Sequence, residues 1–530
     1  MKKIAFIISI LTVCSVSAQN YTDALRYSNE ELNGTARFKA MGGAFGALGG
    51  DFSSIGVNPA GSSLFASSLM GLTAGSVTAK NQTTYRGTNS SNNDSDFNLG
   101  QFGVVFPIPI NDDSTNWKKV SLGFNYQNTQ NFDAGDVSFS GNSNTTLGDY
   151  FKFFANGIAQ RNFLLEDYDP NTKQVIGRNT LQDIYLAMER SRAPFRYRNA
   201  LLGHYAGLIN PSSGRDEIKP SDSDDEANRV LGDTNYLSNT GTSAKQRFDR
   251  ITSGGVNRLN FNISTQYGDN LFLGLNLNTY NVNQKEQLSH WETYDGSTSI
   301  KNAYFENNHK TTGSGFSLQF GAIVKATKQL RLGVTYSSPT WYTLKDEYTQ
   351  YLSANERSTF ANPKVIVEAP EYKFRTPGSW TLSGAYLFGK SALISVDYIY
   401  KNYQNLYFRS SSMKSQNEAV DENLAATSAL RVGGEYRIPF KTNEITNYVS
   451  LRAGYRYEQS PYKKSIYNID PLTGYSFGAG VTLGGIRLDA SYDVAKQTNL
   501  YQMYENVLTT PAHIKSTYGN FLFTFTAQLF

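Results

Sequence analysis

The sequence predicts an all-β protein: a 14-stranded antiparallel transmembrane β-barrel, plugged by its own N-terminal segment and carrying a partly helical long extracellular loop. Three observations lead there. No apolar run of 18 residues follows the first 18 positions, so helical membrane spans are excluded. Yet 35 Tyr and 32 Phe sit in a chain of 530 residues whose mean hydropathy is only -0.44, which is what alternating lipid-facing and lumen-facing side chains average to. Finally, period-two stretches of 10 to 14 residues recur from about residue 68 to the end.

The first residues, "MKKIAFIISILTVCSVSAQ", join two lysines, an apolar run and small residues at Val16 and Ala18. That is the pattern of a secretory signal peptide over 1–18. Its loss removes Cys14, the single cysteine, and with it disulfides and thiol chemistry. The net charge of +4 falls to +2 when Lys2 and Lys3 leave, which gives no ground for a nucleic-acid partner.

Residues 19–67 do not alternate. Gly34, Gly42, Gly43, Gly46, Gly49, Gly50, Gly56 and Gly61 permit tight turns and close backbone approach but disfavour regular helix. A segment of this kind folds only when enclosed, and a barrel wider than eight strands has a lumen to enclose it. Asn58-Pro59 reads as the turn from plug to wall, Pro59 fixing its own φ and biasing Asn58 away from helix.

The wall occupies 68–530. Fourteen segments alternate, near 68–79, 97–107, 119–131, 257–268, 270–283, 313–326, 329–342, 378–388, 391–404, 427–438, 447–460, 473–484, 485–497 and 517–530. In "VNRLNFNISTQYGD", Leu259, Phe261, Ile263, Thr265 and Tyr267 fall on one face and Asn260, Asn262, Ser264 and Gln266 on the other. Connections alternate long and short, as surface loops and periplasmic turns do, which a soluble sandwich has no reason to copy. An even strand count puts both termini on the periplasmic side. Trp341, Trp380, Tyr398 and Tyr400 suit interfacial girdles.

The connection 132–256 is too long to lack structure. It holds apolar groups at Phe151, Phe153, Phe154, Phe163 and Leu164, and a helix-spaced set at Leu181, Ile184, Tyr185 and Met188. Arg190, Arg192, Arg196 and Arg198 stand beside them, placed for a carboxylate. The alternative is a small loop core with a solvated basic rim. Lumen-facing charges by parity are Asp397, Arg431, Glu435, Arg437, Arg452, Arg456, Arg487, Asp489 and Asp493. Such groups pair across strands or tether a plug more often than they touch cargo. The run at Asp222, Asp224, Asp225 and Glu226 lacks full calcium-loop spacing and reads better as a solvated acidic loop.

The stretch Gly34 to Ala60, G-x-A-R…G-G-A…D-x…N-P-A before the first barrel strand, resembles the N-terminal hatch of the FadL/TodX outer-membrane transporters of long-chain fatty acids and other hydrophobic compounds. The resemblance implies that Gly42, Gly43, Phe45, Gly46, Asn58, Pro59 and Ala60 belong to a gating hatch, that the long loop offers a greasy groove, and that cargo escapes sideways through the wall. It implies residence in a Gram-negative outer membrane, contact with its lipid, passive uptake, no cofactor, no metal and a monomer. No Gly-x-Ser-x-Gly or HExxH accompanies the four histidines, which argues against an enzyme. The competing readings are a general diffusion porin, for which a Gly-rich plug has no use, and a surface adhesin or structural barrel built around the long loop.

Overall fold

The computed structural model describes residues 20–529 apart from 113, 170, 192, 216–217, 297–298, 356–358, 443–444, 464–468 and 505. The expected signal peptide, Arg192 and the terminal Phe530 lie outside them. Fourteen wall strands follow in order: β1 Leu69–Tyr85, β2 Thr88–Pro109, β3 Trp117–Asn131 continued as Val137–Ser143, β4 Ala244–Tyr267, β5 Leu271–Tyr294 and β6 Asn302–Lys325. Then come β7 Leu330–Ser337 continued as Trp341–Ala354, β8 Tyr372–Arg375 continued as Ser379–Phe388, β9 Ala392–Asn402 and β10 Ala426–Thr442. The last are β11 Ile445–Glu458, β12 Leu472–Leu483, β13 Ile486–Tyr501 and β14 Ala512–Gln528. Each pairs antiparallel with its sequence neighbour, and β1 pairs with β14 to close the cylinder.

Alternation sets the faces. On β4, Phe261 and Ile263 are each 48% exposed to the outside, whereas Asn260 is fully buried on the lumen side. An outward aromatic belt includes Trp380 tilted against Tyr336 (4.8 Å) and Phe316 beside Trp341 (5.0 Å). One expectation changes. Residues 80–96, read as a loop, extend β1 and β2 into a polar hairpin closed by a tight turn at Arg86 and Gly87, both at positive φ. Above the lipid no apolar face is required, so the hydrophobic pattern ends while the backbone ladder continues.

Inside the cylinder lies the N-terminal segment: α1 Tyr21–Ser28, α2 Ala36–Ala40, α3 Phe52–Val57 and a 3₁₀ turn Pro59–Leu64. Asn20 caps α1, accepting from Thr22 N and Asp23 N. The backbone N–H of Tyr21 donates to Gln416 Oε1 on α8 (Lys414–Asn423), which belongs to the loop between β9 and β10. The wall itself begins and ends at the short-turn mouth, where Leu69 pairs with Gln528, while Asn20 lies in the upper lumen.

The long loop, 144–243, packs α4 Leu147–Ala155, α5 Leu181–Ala187 and α6 Pro194–Tyr205 over the upper ends of β5, β6 and β7, while α7 Asp224–Leu231 packs on the loop's own Ile218 and Tyr168. Three of the four acids in its acidic run are paired within the loop. Arg215 pairs with Asp222 (2.6 Å) and Glu226 (3.0 Å), and Lys173 with Asp224 (2.7 Å). The Arg215 hydrogen bond holds the Asp222 carboxyl below its ordinary range.

Candidate functional site

The hatch residues are fixed by contacts that their sequence positions explain. Gly42 and Gly43 have φ of 62° and 78°, conformations that an L side chain resists, and they turn the chain after α2. The N–H groups of Phe45 and Gly46 both donate to the Asp397 carboxylate of β9 (2.9 and 3.0 Å). Asn58 ends α3 and caps the 3₁₀ turn, its Oδ1 accepting from Ala60 N at 3.1 Å. Its Nδ2 donates to Gly46 O (2.7 Å) and to Ala322 O of β6 (3.1 Å), and Pro59 O accepts from Asn262 Nδ2 (3.0 Å). The Asn-Pro-Ala turn is thus the point where hatch backbone meets wall backbone. Wall glycines make room for it: a Cβ on Gly274 would strike Pro59 and Ala60, and one on Gly321 would strike Asn58.

The lumen charges form a clasp on the opposite wall. Glu435 of β10 receives Arg37 of α2 (2.8 Å), Arg452 of β11 (2.6 Å) and Arg437 (2.7 Å). Arg452 continues to Asp489 (2.8 Å), which also holds Arg487 (2.9 Å), and Arg487 reaches Asp51 of the hatch at 3.8 Å. Lys39 pairs with Asp493 (3.3 Å), toward which Arg456 also points (3.8 Å). Arg431 pairs with Glu458 at 3.2 Å. Three of the hatch's own charges, Arg37, Lys39 and Asp51, are therefore anchored to β10–β13. Each of these groups is expensive to bury alone, so the pairing makes one hatch position strongly preferred.

Above the hatch is a cavity of about 1780 Å³. Glu30, Lys39 and Gly56 line its floor, Tyr280, Tyr342 and Tyr403 its sides, and Phe153, Phe154 and Phe195 its roof. Most of the groove expected in the long loop is instead that loop's own core. Phe151, Phe163, Tyr185 and Met188 are buried there, with Leu181 and Ile184 packed at its margin, and Leu164 is half-buried. Phe153, 52% exposed, and Phe154 reach the cavity. Arg190 is exposed; Arg196 is engaged with the carbonyls of Phe154 and Asn156 at the end of α4. We predict that Phe151→Ser unfolds the loop region at a cost of about 3–5 kcal/mol, while Phe153→Ser changes its stability by under about 1 kcal/mol. Limited proteolysis at rising temperature separates the two.

The wall is interrupted beside the cavity. The β2–β3 ladder runs only from Pro109↔Lys119 to Gln101↔Gln127, although β2 continues to Thr88 beside β1 and β3 continues to Asn131 beside β4. Residues 132–136 then turn β3 inward, so that Phe139 packs on Tyr85 (5.1 Å) and Phe248 (5.0 Å). The turn is held by Asp133 and Asp136, whose carboxylates accept from Gly254 N (2.9 Å) and Thr252 N (3.0 Å) in place of ladder partners. Among the described residues, bonds that use at least one side chain span the gap, including Asn131 Nδ2 to Asp96 Oδ2 at 3.0 Å and Asn92 Nδ2 to the Asp136 carbonyl at 2.6 Å. The sequence signal that was available is the turn-forming "DAGD" at 133–136 set between two alternating runs and paired with Gly254-Gly255 across the strand.

Residues 242–501 match the model of the family described as outer membrane protein transport protein (OMPP1/FadL/TodX). Over that stretch the chain is FadL/TodX-like. The family's members are outer-membrane barrels that transport hydrophobic compounds. Among solved structures, a Pseudomonas aeruginosa FadL homologue is similar at 13% identity over 94% of this chain and 99% of that one, with a TM-score of 0.50, which speaks for the FadL fold alone. The Pseudomonas putida toluene transporter TodX (12% identity, 94% and 99% covered, TM-score 0.49) and the Ralstonia pickettii toluene transporter TbuX (14%, 94% and 99%, 0.45) are also similar. No curated protein matches the sequence.

Proposed function

We propose that this protein takes up hydrophobic small molecules, long-chain fatty acids or compounds of similar character, by passive diffusion gated by the hatch. The long-loop mouth faces the outside and the short turns face the periplasm; the barrel acts as a monomer in contact with outer-membrane lipid. The observation that carries this reading is the combination of a large cavity closed below by a tethered hatch with a gap in the wall at its side. Phe153, Phe154 and Phe195 form the entrance, and the clasp on β10–β13 keeps the polar pore shut. Oily cargo then leaves between β2 and β3, where the missing ladder already exposes backbone and where Phe97, 72% exposed, marks the lipid edge of β2.

A staple tests the exit. The sequence holds a single cysteine, Cys14, so Asp96→Cys with Asn131→Cys in a Cys14→Ser background introduces a unique pair at side chains that already touch. The oxidised double variant is expected to lose at least ten-fold in uptake of a hydrophobic probe into vesicles, with recovery on reduction. Uptake unaffected by the formed disulfide contradicts exit at this gap.

A further inference from the structure

We infer that the outside of the wall just above the aromatic belt, at Lys373, Arg375 and Arg409, holds the phosphorylated headgroup of a glycolipid in the outer leaflet. The inference rests on the orientation proposed above, with the long-loop mouth outward. It starts from where the lipid-facing surface of β8 ends. Phe388, Tyr386, Leu382 and Trp380 are exposed along that strand, and Tyr400 of β9 stands opposite Trp380. The stretch covers most of the apolar band of an outer-membrane barrel, about 25 Å tall. The next outward side chains of β8 therefore stand at headgroup level.

Those side chains are cations. Lys373 and Arg375 are exposed, while Tyr372 and Phe374 beside them are buried. Arg375 lies level with Trp341 of β7 on one side and with Tyr407, from the loop after β9, on the other. Its guanidinium covers the Tyr407 ring at 5.4 Å. The same register sets Lys373 against Arg409, whose backbone N–H donates to the Lys373 carbonyl at 2.9 Å. Arg409 is exposed as well.

Like charges directly across a ladder repel each other, and no carboxylate separates this pair. Among the described residues, Lys373, Arg375 and Arg409 form no ion pair. The acids of the neighbouring edge are engaged, Glu368 by Lys345 (2.5 Å) and Glu347 by Lys310 (3.2 Å). Glu371 shares the outward face next to Lys373, which leaves one carboxylate against three cations. A phosphate at this height relieves the repulsion: the guanidiniums supply paired donors and the ammonium a point charge. Tyr407, 46% exposed, and the aromatic belt below then offer an apolar surface to the lipid's chains.

Native mass spectrometry of the protein in amphipol tests this with three probes: hexa-acylated lipid A carrying both phosphates, the same lipid without phosphate, and inorganic phosphate alone. The phosphorylated lipid is expected to bind at least five-fold tighter than either of the others. Lys373→Gln with Arg375→Gln and Arg409→Gln should erase that preference, whereas Lys310→Gln with Lys345→Gln, whose cations are already paired, should keep it. All three cations of the patch are exposed, so an unchanged heat-induced gel shift verifies the barrel of the triple variant. Equal binding of the two lipids, a preference that survives the triple change, or free phosphate binding as tightly as the lipid overturns the inference. Arg409→Cys in a Cys14→Ser background, treated on intact cells with a membrane-impermeant maleimide, checks the orientation separately. Labelling supports an outer-leaflet source; its absence removes that source and contradicts the outward mouth, while the binding preference of the purified protein still reports on the patch alone.

Discussion

Replacing Glu435 by Gln is expected to release the hatch while leaving the barrel closed. One carboxylate with no exposed side-chain surface serves three guanidiniums, those of Arg37, Arg437 and Arg452. Removing its charge leaves buried cations facing one another, a loss of about 3–5 kcal/mol for a broken buried pair. The wall does not depend on it, because the β10–β11 ladder is made by backbone from Ala429 to Thr442. The loss therefore falls on the docking of α2. Protease added from the short-turn side of proteoliposomes is expected to cut within residues 20–67 of the variant at least ten times faster than in the parent, with the heat-induced shift of the barrel on gels unchanged. Equal cutting rates contradict the clasp. The companion change Asp489→Asn removes a carboxylate that two arginines share and should act in the same direction with smaller effect.

The second large effect is expected from one or two methyl groups on the opposite wall. Gly274 and Gly321 stand on adjacent strands, and the Asn58-Pro59-Ala60 turn lies directly on both. A Cβ at Gly274 meets hatch backbone rather than the end of a flexible side chain, so nothing nearby can yield cheaply. Each Gly→Ala change is expected to cost about 1–3 kcal/mol through overpacking, and the pair to push the turn off the wall. The Asn58 amide then loses Ala322 O, and the Gly46 and Ala322 carbonyls are left without their donor. In planar bilayers the double variant should show frequent brief openings where the parent is quiet. Gly384→Ala is the control, because a Cβ there meets nothing. Openings equally frequent in the control contradict the docking of the turn at these glycines.

The legible parts were those set by short-range periodicity. Strand faces on β4, β11 and β13 follow directly from period two, because lipid on one side and a filled lumen on the other both act on every second residue. The enclosed Gly-rich segment and the inward-facing charges were legible for the same reason. Two features escaped. The inward turn of β3 at 132–136 depends on Asp133 and Asp136 bonding to Gly254 and Thr252, more than 110 residues away, and turn-forming residues look alike in a loop and in a kinked strand. The role of the long loop escaped because its aromatic residues face a core built jointly with β5, β6 and β7: Phe151 packs on Phe305 at 5.1 Å, a partner that helical spacing alone cannot reveal. The cavity's tyrosines were within reach, since Tyr280 shares inward parity with Asn276 and Asn278 on β5.

The central claim is that the lumen is stoppered by the segment it encloses. Planar-bilayer conductance of the intact protein against a form lacking residues 20–60 measures this directly. The account predicts near silence from the intact barrel and steady conductance of about a nanosiemens after the deletion, as expected for an unplugged 14-stranded lumen. Steady conductance of that size from the intact protein, or silence from both forms, contradicts it.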